Sequence, residues 1–131
     1  MGGLQVLEEL YADEGFHVLG FYSNDFGKQG GTDEQIAEVT EKYHVTYPQF
    51  AIEPVSGDDL RPVFSWLLSQ DNPGPKTGDV GPSWNFGKWL VSRKGDLVAA
   101  FDTRSYPGVD PNEQSFKESP IVQAIEAELA K

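Results

Sequence analysis

The chain has 131 residues, 21 acidic against 10 basic side chains, a formal net charge of −11 and no cysteine. This charge excludes a nucleic-acid backbone and disfavours an anionic membrane surface as partners, because both need clustered Lys and Arg. Without cysteine there is no disulfide, no thiolate zinc site and no thiol nucleophile; with only His17 and His44 as imidazoles, neither a metal site nor a Ser-His-Asp hydrolase finds its residues.

The length suits one domain, residues 1–131, around one core, and 38% hydrophobic residues with three tryptophans suffice to build it. No run approaches about 18 apolar residues, so no membrane span is expected. The first residues carry no basic region and no apolar run of a signal peptide, which points to a cytoplasmic location.

Leu4, Leu7 and Leu10, with Val6 and Tyr11, recur at helical spacing and predict a helix over 4–13 that stops before Gly15. Residues 16–22, FHVLGFY, read as a buried strand whose continuous apolarity favours a parallel neighbour. A Gly-rich loop over 23–31 follows. Thr32 then caps a helix, with Gln35 in the capping-box position and Ile36, Val39 and Tyr43 as its buried stripe. That helix gives way near Val45, and residues 47–51, with Pro48 holding its predecessor extended, lead into a turn.

Asp58 or Asp59 can start a further helix with Leu60, Val63, Phe64, Leu67 and Leu68 inward. Residues 71–83 read as loop. A hairpin comes next, residues 88–92 and 97–101 about a turn at 93–96. Residues 102–117 read as another loop. Ser119 and Pro120 open a final helix with Ile121, Val122, Ile125 and Leu129 inward. The order α-β-α-α-ββ-α is an α/β layer pattern. The acidic pairs Glu8–Glu9, Asp58–Asp59 and Glu126/Glu128 read as solvated helix positions, and Arg93 and Lys94 as a charged hairpin tip.

Three segments together resemble the glutathione peroxidase family. Residues 18–29, VLGFYSNDFGKQ, follow its strand-loop signature LGFPCNQFGxQ. Residues 84–91, WNFGKWLV, with Arg93 and Gly95, match its hairpin WNFxKFLVxRxG. Residues 45–50, VTYPQF, are similar to its VTFPxF. The resemblance implies a thioredoxin-like fold and reduction of hydrogen peroxide or organic hydroperoxides, with glutathione as co-substrate and no cofactor or metal. It implies catalytic roles for Gln29, Trp84 and Asn85, which support a redox cysteine or selenocysteine.

That redox residue belongs to a segment about ten residues before Gly3-Leu4-Gln5, so the chain is expected to lack it, together with the N-terminal strands, including a central one. The chain alone is expected to be inactive. Where many members have Cys in "PCN" this chain has Ser23, and where thioredoxin-dependent members carry a resolving Cys it has Thr40. This departure leans toward the glutathione-using, selenocysteine type, and hence toward a truncated selenoprotein. The alternative is a non-catalytic thioredoxin-fold binding or scaffold protein. The resemblance also admits an oligomer.

Overall fold

A computed structural model describes residues 2–24, 31–54, 61–70, 76–77, 87–101, 105 and 107–131. Helix α1 spans Gly2–Tyr11 and runs into a 3-10 turn over Ala12–Glu14. Gly15 ends it in the left-handed region (φ 93°) with its N–H bonded to the Ala12 carbonyl. Strand β1 is Gly20–Phe21, α2 Asp33–Lys42, β2 Gln49–Phe50, α3 Pro62–Ser69 and β3 Lys76–Thr77. Strands β4 (Lys88–Val91) and β5 (Leu97–Phe101) form the hairpin, and α4 (Gln114–Lys117) and α5 (Pro120–Leu129) close the chain.

The hairpin, the last helix and the Thr32–Gln35 capping box stand as the sequence predicts: the Thr32 hydroxyl accepts from the Gln35 N–H, and the Gln35 side chain accepts from the Thr32 N–H. The strand read over 16–22 is shorter than expected, because only Gly20 and Phe21 pair. Their neighbour is parallel, as expected, but it is β2, within the segment read only as leading into a turn. Two-residue strands such as β2 and β3 carry too few positions to show an alternation. For the same reason α4, one turn long, appears where only loop was expected. Helix α3 starts at Pro62 behind Arg61 rather than at Asp58 or Asp59, since Pro at the first position is preset for a helix; residues 55–60 lie outside the described residues.

Sheet order is β1-β2, both parallel, and β3-β5-β4, with β3 parallel and β4 antiparallel to β5. In the hairpin Leu90 faces Ala99 while Val91 faces Leu97, so Val98 is an extra residue that shifts the register. Such a bulge reverses the in-out alternation along β5. Ala99 and Phe101 accordingly join one core with Leu7, Tyr11, Phe116, Ile121, Val122 and Ile125. Leu97 joins a second one with Phe64 and Leu67 of α3, against which Phe21 and Trp89 pack. Helices α1, α4 and α5 thus cover one face of the sheet and α3 the other.

Helix α2 contradicts its expected stripe. None of its residues is buried: Ile36 and Val39 are half-covered and Tyr43, its C-cap, is exposed. Glu8 contradicts its expected solvation. It is buried, and its carboxylate accepts from the Val18 N–H at 2.7 Å and lies 2.9 Å from His17 Nδ1. Among the described residues no helix is long and apolar enough to cross a membrane.

Burial raises the phenol pKa of Tyr11, Tyr22 and Tyr47. The Tyr11 hydroxyl also donates to Glu126 at 2.7 Å, and Tyr47 is pushed up to about 12 by burial and by the negative charge that Tyr22 and Glu8 place nearby. An unfolded tyrosine ionises near pH 10. The folded state therefore holds these protons longer, and the stability they contribute is whole below about pH 10 and lost as pH rises toward 12. Denaturation midpoints are expected to be level up to about pH 9.5 and to fall above about pH 10, with a shallower fall in Tyr47→Phe. An alkaline limb of equal slope in that variant would contradict this.

Candidate active site

Gln29, Trp84 and Asn85 lie outside the described residues; the elements on either side of them are described. The chain leaves β1 at Phe21 toward Gln29 and enters β4 at Lys88 just after Trp84 and Asn85. The Phe21 and Trp89 rings both meet Phe64 of α3 edge-on, at centroid distances of 5.9 and 5.5 Å. One helix side chain thus brings together the carboxyl end of β1 and the amino end of β4. Among the described residues each of these strands pairs on one side only.

The exit from β1 is held at several points. The Tyr22 carbonyl accepts from the Glu53 N–H at 3.1 Å. The Asn24 side-chain amide accepts from the Gly31 N–H at 2.9 Å and donates to the Gly31 carbonyl at 3.3 Å. A single side chain therefore ties both ends of the span that carries Gln29, in the manner of a short strand pair. This role went unread in the sequence although Asn24 stands inside the strand-loop signature, because a lone Asn in a Gly-rich loop looks like any turn former.

Position 40 is also occupied. The Thr40 hydroxyl donates to the Ile36 carbonyl at 2.7 Å and accepts from Gln49 Nε2 at 2.8 Å, while Gln49 Oε1 accepts from the Tyr22 hydroxyl. The chain of bonds joins β1, β2 and α2. Arg93 serves the fold at a distance: its Nη2 donates to the Glu14 carbonyl at 2.8 Å, and a side chain on Gly15 would collide with Arg93 Nη1.

Gly87 lies between Asn85 and β4, and its backbone runs against the Trp89 ring. A methyl group there would sit 2.8 Å from Trp89 Cη2. The buried Trp89 Nε1 has no acceptor among the described residues. Gly87→Ala is expected to destabilise by about 1–3 kcal/mol through overpacking. Trp89→Phe, which trades packing area for relief of an unpaired donor costing about 1–3 kcal/mol, is expected to be near neutral and to absorb most of the Gly87→Ala penalty. Urea denaturation of the two single variants and the double variant measures the coupling; strict additivity would refute the contact.

Arg61 was not singled out in the sequence either. It is 4% exposed, at the carboxyl edge of the β1–β2 pair. Its N–H donates to the Pro54 carbonyl and its Nη2 to the Ala51 carbonyl and, at 2.9 Å, to Glu53 Oε2. The guanidinium carbon lies 5.2 Å from the Phe21 ring centre. No group of three or more His, Asp or Glu among the described residues could hold a metal ion.

Strands sandwiched between α3 and the pair α1 and α5 define an α/β protein of the thioredoxin-like class. The crystal structure of Trgpx in apo form is similar, with a TM-score of 0.66 and 25% identity over 98% of this chain and 69% of that one. The family model for glutathione peroxidase matches residues 2–68. The glutathione peroxidase-like peroxiredoxin gpx1 of Schizosaccharomyces pombe is 41% identical over 107 residues, 80% of this chain and 66% of that protein. The hydroperoxy fatty acid reductase gpx1 of Synechocystis sp. is 37% identical over 111 residues, 80% of this chain and 65% of that protein. The chain belongs to the glutathione peroxidase family, and it spans just under two thirds of the length of these relatives.

Proposed function

We propose that this chain is the supporting part of a peroxidase that reduces hydrogen peroxide or organic hydroperoxides with glutathione, and that Gln29, Trp84 and Asn85 are its catalytic support. The observation that carries the reading is the Phe21–Phe64–Trp89 contact, which draws together the strand ends leading to Gln29 and coming from Trp84 and Asn85. The named relatives add weight, since one is called a peroxiredoxin and another a hydroperoxy fatty acid reductase.

In this reading the nucleophile is a cysteine thiolate or selenocysteine selenolate on a segment outside the 131 residues. The chalcogen attacks one peroxide oxygen, the O–O bond breaks, and the departing oxygen leaves as water or alcohol after taking a proton. One glutathione then releases water and forms a mixed bond with the chalcogen; a second releases glutathione disulfide and restores the nucleophile. The chain supplies neutral donors: the amides of Gln29 and Asn85 and the indole N–H of Trp84. Each such hydrogen bond to an anion contributes roughly 1.5–3 kcal/mol. No cofactor is required. With its hydroxyl engaged and no thiol, position 40 supports an external thiol rather than an internal disulfide.

A cytoplasmic location and the absence of a nucleic-acid partner complete the proposal; the net charge of −11 supports the latter. A glutathione-coupled hydroperoxide assay, with and without a cysteine-bearing segment joined to residue 1, tests it. No turnover in the joined protein would refute it.

A further inference from the structure

Arg61 is the one buried basic residue among the described residues of a chain with net charge −11. Its side chain is 3% exposed, yet its Nε and Nη1 have no acceptor among those residues. Leaving buried charged donors unpaired is costly, and such groups call for an explanation. The counter-charge is also thin. Glu53 is 59% exposed and meets only Nη2, through one oxygen at 2.9 Å. A guanidinium fork matches the two oxygens of a carboxylate, so Glu53 uses half of what the Nη1–Nη2 end offers.

The location narrows the ligand further. Strands β1 and β2 run parallel, and Arg61 bonds to Ala51 and Pro54 just beyond the carboxyl end of β2 while its guanidinium lies against Phe21 at the carboxyl end of β1. The carboxyl edge of parallel strands is where ligands bind in open α/β sheets. Here it is also where the chain departs for Gln29.

We propose that Arg61 is a carboxylate-binding residue, with Glu53 as a placeholder that an incoming carboxylate displaces from Nη2 so as to engage Nη1 as well. Glu53 is 59% exposed and can rotate away from Nη2 toward solvent. Two carboxylates fit the chemistry: that of a peptide thiol reductant and that of a fatty-acid hydroperoxide. The choice between these two rests on the peroxidase reading; the carboxylate site itself does not.

The test is a titration of the 131-residue chain with acetate, octanoate and S-methylglutathione, followed through the backbone resonances of Phe21 and Glu53. Saturable binding is expected. Glu53→Gln, which removes the placeholder's charge, should tighten it. Arg61→Met, which keeps an unbranched stem and removes the guanidinium, should weaken it by at least about tenfold. Arg61→Lys, a single ammonium without the fork, should fall between. Tighter octanoate marks the fatty substrate and tighter S-methylglutathione the reductant; either upholds the site.

Equal affinity in the wild type and Arg61→Lys, or no saturable binding in the wild type and Glu53→Gln, would overturn it. Glu53→Gln changes a 59% exposed side chain and keeps an amide oxygen that Nη2 can bond, so its result stands even if Arg61→Met fails to fold. Arg61-dependent binding in a chain whose cysteine-joined form turns over no peroxide would sink the peroxidase reading and leave the carboxylate site standing.

Discussion

Joining a cysteine- or selenocysteine-bearing segment to residue 1 is expected to give glutathione-dependent hydroperoxide turnover, and Gln29→Ala in the joined protein to remove about 10²–10³-fold of it. The 131 residues alone are expected to turn over nothing, because a chain without cysteine offers no chalcogen to attack the O–O bond. In the proposed role Gln29 supplies one donor to developing charge, and the expected loss is that of one such donor. Such a donor acts on the transition state more than on bound substrate, so kcat should fall while KM moves little. It also acts on the resting nucleophile. Losing roughly 1.5–3 kcal/mol of anion stabilisation raises a thiol pKa by about one to two units. Alkylation of the cysteine by iodoacetamide, measured against pH, should shift upward by that amount. Trp84→Phe keeps the ring and deletes the N–H, and should behave alike. Turnover within about threefold of the parent in both variants would remove Gln29 and Trp84 from the catalytic set.

The second large effect is on stability. Phe116→Ala is expected to cost about 3–5 kcal/mol. Phe116 is 2% exposed and sits in the core shared by α1, β5 and α5. Its helix, α4, is a single turn and cannot close over the space that a lost ring leaves. The unfolding midpoint in a thermal scan should drop by roughly 10–20 °C. A drop of less than about 3 °C would mean that α4 does not anchor the core.

Elements with several turns or a full alternation were legible in the sequence. Helix α5 shows Ile121, Val122 and Ile125 inward behind Pro120, and the hairpin declares itself by two apolar runs about Gly95. The two-residue strands β2 and β3 and the one-turn α4 were not, since tertiary packing rather than a local pattern sets them. Glu8 and Arg61 were misjudged or passed over because charge alone reads as solvent-facing. Their burial depends on partners distant in sequence or fold, the Val18 N–H for one and the Phe21 ring for the other. For the site, short motifs proposed Gln29, Trp84 and Asn85, while Asn24, Phe64, Gly87 and Trp89, on the described elements before and after them in the chain or packed on those elements, act through contacts no spacing rule shows.

The extra residue Val98 has a consequence for descent. Because Leu97 and Ala99 already serve opposite faces of the sheet, loss of the Val98 codon would remove the bulge, keep both pairings with Leu90 and Val91, and leave each residue on the face it now covers. A gap at position 98 in a distant relative would therefore mark a regular hairpin with the same two cores, whereas a gap at a paired position of β5 would exchange the faces of the residues on one side of it.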